Sequence, residues 1–141
     1  MFWMLLPEVP GDLARESVLD TSVHPMIVHE LFIEVAAWCG GDLCEMFPVY
    51  FVTTRLMKAM ERRGLTGFSI REMKQRKSSE FDRVCPEEQI PLFHWLYVTG
   101  EAGVDDFGLA PIHDLIVSQR ALALLQTFEL STCIIMDWPR A

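Results

Sequence analysis

The sequence predicts a single α+β domain in which a mixed, largely antiparallel sheet of five or six strands carries two short helices on one face. Three observations predict it. Apolar runs of strand length, rich in β-branched and aromatic residues, recur along the chain: MFWMLL, MIVHELFIEV, VYFV, IPLFHWLYV, LIV and CIIMDW. Two stretches, RLMKAMERR and QRALALLQTF, space their apolar residues as one face of a helix. Those stretches share a context, because residues 52–70 (VTTRLMKAMERRGLTGFSI) overlay residues 117–135 (VSQRALALLQTFELSTCII) without a gap at an offset of 65. At 141 residues the chain fits one domain that buries roughly two-thirds of its unfolded surface.

Taken in order, MFWMLL lacks a basic flank and meets Pro7 at once, so it reads as a first strand and not as a signal peptide. Residues 7–25 are rich in Pro, Gly, Asp and Ser and read as loop. A strand is expected within 26–37, and CGGDLCEMFP is expected to be loop. The first strand–helix–strand unit then spans about 49–73. Thr53 or Thr54 is its N-cap, Arg62 and Arg63 sit at the negative end of the helix dipole, and Gly64 is the left-handed C′ residue. KSSEFDRVCPEEQ reads as polar connection, IPLFHWLYV as a strand with Pro91 at its start, and TGEAGVDDFGLAP as a turn-rich loop. The second unit spans about 115–138. Ser118 is its N-cap, Ala121, Leu124, Leu125 and Phe128 form the helix stripe, and Pro139 stops the last strand. The pattern raises a possible duplication of one structural unit inside one domain, residues 1–141.

Charge is unevenly placed. The net is −8, with −7 over residues 1–54, +5 over 55–83 and −6 over 84–141. The only basic stretch, REMKQRK, has no interleaved aromatics and no nucleic-acid module around it, so a nucleic-acid binder is disfavoured. No run approaches the ~18 apolar residues that span a bilayer. An acidic shell instead suits a partner with a basic surface. The four cysteines (Cys39, Cys44, Cys85 and Cys133) lack framework or CxxC spacing and read as reduced thiols of a cytoplasmic protein, without a bound metal.

No GxSxG elbow, P-loop, GxGxxG or HExxH is present, so no catalytic residue, cofactor or metal site is assigned. One alternative is a small metal-dependent hydrolase, or an enzyme that reverses a modification, centred on His94, Asp105, Asp106 and His113. Those groups have a simpler reading as turn formers and surface residues. Strand alternation along FHWLYV sends Phe93, Trp95 and Tyr97 to one face and His94, Leu96 and Val98 to the other, so one face is available as an interface.

Several stretches together resemble a known group of proteins. They are Val117-Ser118-Gln119-Arg120-Ala121-Leu122, Gly103-Val104-Asp105-Asp106-Phe107, and Thr54-Arg55-Leu56 through Gly64-Leu65-Thr66-Gly67-Phe68. With Trp38 followed by Asp42, and Pro91 followed by Trp95, they resemble the C-terminal part of immunity-protein families of bacterial polymorphic-toxin systems. The resemblance runs from Trp38 to Trp138, and the paired CxxC motifs of some such families are missing. It implies a cytosolic, non-enzymatic protein, a monomer or weak homodimer, that occludes the active site of a cognate toxin, such as a type VI or contact-delivered effector. The expected contact residues are Glu101, Asp105, Asp106 and Phe107 in the loop, with Trp95 and Tyr97 on the neighbouring strand.

Overall fold

The apolar runs and helical stripes fold where their periodicity puts them, and short strands form in several of the segments between. The computed structural model describes residues 1–85, 89–130 and 132–139. In chain order it contains β1 (Phe2–Leu6), β2 (Gly11–Leu13), β3 (Val18–Asp20), β4 (Ile27–Glu30), β5 (Phe32–Val35), β6 (Leu43–Met46), β7 (Val49–Thr53) and α1 (Thr54–Arg63). There follow β8 (Phe68–Arg71), β9 (Lys74–Lys77), α2 (Phe81–Val84), β10 (Phe93–Val98), β11 (Phe107–Leu109), β12 (Leu115–Ser118), α3 (Gln119–Leu125) and β13 (Ile134–Asp137). No described helix is long and apolar enough to cross a membrane.

The domain is α+β and mostly antiparallel, but among the described residues its strands form four sheets where one was expected. Two of them are built alike. The first has the order β6-β7-β10-β8 and the second β11-β12-β1-β13. Each consists of a hairpin, a helix and a returning strand, and each has its third strand supplied from the other half of the chain. Registers agree as well. Leu96 of β10 faces Tyr50 and Ile70, while Leu5 of β1 faces Leu115 and Ile135, so the flanking residues in the two sheets are 65 apart on both sides. Apolar side chains from both sheets (Leu5, Leu43, Val52, Leu96, Phe107, Val117) join those of α1 and α3 (Leu56, Met60, Ala121, Leu125) in one core.

A second core lies behind the first sheet. There the three-stranded sheet β2-β5-β9, the β3-β4 hairpin and α2 contribute Val28, Leu31, Ile33, Val35 and Phe81, which pack on Cys44, Phe51, Phe93 and Trp95. Parts of this layer form in the segment expected to be loop at 7–25 and, at Phe81–Val84, in the expected polar connection, where a third, single-turn helix, α2, appears among the described residues. The strands β6 and β11 likewise arise inside expected loops. Their pairing partners are distant in sequence or hidden by turn-rich composition. Residues 86–88 of the polar connection, and Ser131 of the overlaid pair, lie outside the described residues.

The caps behave differently in the two units. Gly64 ends α1 at φ 68°, the left-handed C′ position that its lack of a Cβ favours. Ser118 Oγ accepts the Ala121 N–H at 3.1 Å, an ordinary N-cap. Thr53 makes no side-chain cap, and its hydroxyl donates to Asp42.

Candidate functional site

Two buried carboxylates hold the twin units together. Asp42, 1% exposed, accepts Thr53 Oγ1–H, Arg55 Nε–H at 2.7 Å, Arg55 Nη2–H at 2.6 Å and the Glu129 N–H at 2.9 Å. Asp106, 7% exposed, accepts Ser118 Oγ–H at 2.6 Å, Arg120 Nη2–H at 2.7 Å and the Thr66 N–H at 2.8 Å. The correspondence is residue by residue: each aspartate binds the hydroxyl ending its own hairpin and the arginine two residues later. Each then reaches across to the loop after the other unit's helix. In both, the backbone carbonyl of the aspartate also accepts the N–H of that hydroxyl residue, at 2.9 Å.

Burial by itself raises the pKa of such carboxyls. At Asp106 the Arg120, Ser118 and Thr66 donors outweigh it and lower the value from 3.8 to about 2, and at Asp42 the Arg55, Thr53 and Glu129 donors lower it in the same way. A carboxyl lowered on folding contributes stability that is complete above its unfolded pKa and lost as pH falls through the folded one. The contribution of the two carboxyls to unfolding free energy is therefore expected to be flat down to about pH 5 and to fall between about pH 4 and pH 2. An Asp106→Asn variant should lose about 2 kcal/mol of that fall, read by urea titration at stepped pH.

The clasps account for the position of several expected contact residues. Asp106 is internal, and Phe107 is fully buried with its ring edge-on to Phe68 at 5.3 Å. Trp95 is 3% exposed in the second core. Half-buried Tyr97 lies beneath the Arg71 guanidinium, 3.4 Å from its ring centroid. So Phe107, Trp95 and Asp106 face inward, where the sequence reading puts them at a contact surface. Apolar strand alternation could not say that an inserted layer covers the Phe93–Trp95–Tyr97 face. Only Glu101, exposed, and Asp105, half-buried and accepting the Glu101 N–H at 2.7 Å, stay at the surface loop.

The four residues of the hydrolase alternative are not brought together. His94 Nε2 lies 2.8 Å from Thr54 Oγ1, Asp106 sits in its clasp, and Asp105 binds the loop backbone. His113, at φ 65°, lines a groove of about 330 Å³ with Pro25, Tyr50, Trp95 and Tyr97. Among the described residues no cluster of three or more His, Cys, Asp or Glu side chains could hold a metal ion. Burial pushes the Cys44 thiol well up and the Cys133 thiol to about 11, while Cys39 is exposed. Since the thiolate is the reacting form, iodoacetamide at pH 8 is expected to label Cys39 first and Cys44 only after unfolding, as peptide mass spectrometry would show.

What the sequence reading missed is the outer face of the second sheet. On β1 the residues Trp3 and Leu5 point to the shared core, so Phe2, Met4 and Leu6 point away from it. On β13 the core residue is Ile135, which leaves Ile134 (56% exposed) and Met136 (41% exposed) outside. The equivalent face of the first sheet lies under the inserted layer. Here that place holds the short loop 99–106, which covers the β11 side: a Cβ on Gly108 would meet Ala102 N at 2.3 Å. Glu101 and Val104 (58% exposed) crown this loop. The signal for this surface was present in FWMLL and IIM, which are apolar at both alternating positions.

Comparison with known protein families, with curated proteins and with solved structures finds no match to this chain.

Proposed function

We propose that this chain is a non-catalytic binding protein that neutralises a cognate bacterial toxin by covering its active site, as the immunity proteins it resembles in sequence do. The observation that carries the reading is the apolar outer face of the second sheet along β1 and β13, where exposed Ile134 and Met136 adjoin half-buried Phe2, Met4 and Leu6, with the acidic loop at Glu101 and Asp105 on the β11 side. Contiguous exposed apolar surface beside a polar rim suits a protein partner. The acidic surround suits a partner that brings Lys and Arg, where charge pairs speed encounter and reject wrong partners. Core-packed sheets and two charged clasps give the rigid scaffold that such occlusion needs, since little ordering entropy is then lost on binding.

Co-expression with the product of the adjacent gene tests the reading through growth rescue and co-purification. An Ile134→Lys, Met136→Lys double variant is expected to lose about 100-fold in affinity, the loss of two central apolar contacts. Both side chains are exposed, so its melting temperature should move by no more than about 2 °C. Rescue and binding unchanged by the double variant would remove this face from the interaction.

A further inference from the structure

The two similar sheets differ at one edge. β8 and β13 occupy the same outer position in their sheets, and at two outward-facing positions of β8 stand Ser69 and Arg71. A charged side chain is a common guard against stray strand pairing, and Arg71 also lies over Trp95 and Tyr97. At the equivalent positions of β13 stand Ile134 and Met136, both exposed. Trp138 N–H donates to the Phe2 carbonyl at 3.1 Å, and Met136 and Ile134 face Met4 and Leu6. By antiparallel alternation, the N–H and C=O groups of Ile135 and Asp137 then point out of the sheet edge.

We propose that β13 is a strand-accepting edge, and that the partner pairs with it through an extended segment of apolar residues flanked by a base. This deepens the binding-protein reading and rests on it. The apolar positions of the incoming strand would lie across from Ile134 and Met136, and its Lys or Arg across from Asp137. Charge complementarity selects this occupant over a second copy of the chain. The carboxylate on β13 is the exposed Asp137, and the chain is −8 overall. Two copies would bring like charge to like, whereas a basic strand neutralises it. Backbone pairing supplies the affinity, and the alternate side chains supply the choice of partner.

The test uses the full chain and two blocked peptides of about nine residues, one alternating valine and lysine, the other valine and glutamate, long enough to cross a short strand. Amide exchange by NMR is expected to slow about tenfold at Ile135 and Asp137 when the lysine peptide is present at roughly ten times its dissociation constant. The glutamate peptide should leave both amides unchanged, and Asp137→Lys should reverse the preference. Free exchange at millimolar lysine peptide overturns the proposal. So does slowing that appears as protein concentration rises without peptide, which would make the occupant a second copy. A co-purifying toxin that leaves these amides in free exchange overturns the edge and spares the binding reading. Protected amides without any toxin beside the gene do the opposite.

Discussion

An Asp42→Ala, Asp106→Ala double variant is expected to lose about 6 kcal/mol of unfolding free energy, a large part of the 5–15 kcal/mol that holds an ordinary domain together. Each carboxylate accepts bonds from an arginine, a hydroxyl and a backbone N–H of the opposite unit. Charge-assisted bonds are worth about 1.5–3 kcal/mol each, and a buried N–H left without its acceptor costs about 1–3 kcal/mol more. The arginine side chains are well exposed, 67% for Arg55 and 50% for Arg120, and water takes back part of what they lose. About 3 kcal/mol per clasp follows from these terms. Urea unfolding of both single variants and the double variant measures it. Single losses under about 0.5 kcal/mol, the scale of surface changes, would mean that the clasps only decorate a structure held by its apolar cores.

The second large effect is at Phe107. Removing its ring empties a fully buried site in the core shared by both sheets and takes away the edge-to-face partner of Phe68. Phe107→Ala is expected to cost about 3–5 kcal/mol, and so to lower the melting temperature by roughly 10 °C or more. Below that temperature, partner affinity should be unchanged, because the ring reaches no surface. A Phe107→Ala protein that melts normally and fails to bind would return this residue to the interface.

Those two positions show what could be read from the sequence. Strands and helices with strong local signals were legible: the apolar run of β1, the stripe of α3, the cap at Ser118 and the left-handed turn at Gly64. Pairing was not, because it depends on residues far apart in the chain. KQRK at 74–77 stands out in the sequence only as part of the basic stretch REMKQRK, yet it is a strand lying parallel to β5, with Arg76 bonded to both Glu16 and Glu34. The overlay at 65 found Arg55 and Arg120 but not the acids they serve. Eleven residues separate Asp42 from Thr53 and twelve separate Asp106 from Ser118, so a gapless alignment slips by one at the hairpin. The candidate site was the least legible part. The sequence points to the loop residues Glu101, Asp105, Asp106 and Phe107 and to the most aromatic strand, which an inserted layer covers, while the outer face of the second sheet is made of ordinary apolar positions in β1 and β13.

The exchanged third strands carry a consequence for biosynthesis. As the chain leaves the ribosome, β6, β7, α1 and β8 emerge before β10, which must lie between β7 and β8 to join them. β1 emerges long before its partners β12 and β13. Neither half is therefore a cotranslational unit, and a nascent chain stalled near residue 90 leaves β7 and β8 without β10 and β1 without either neighbour.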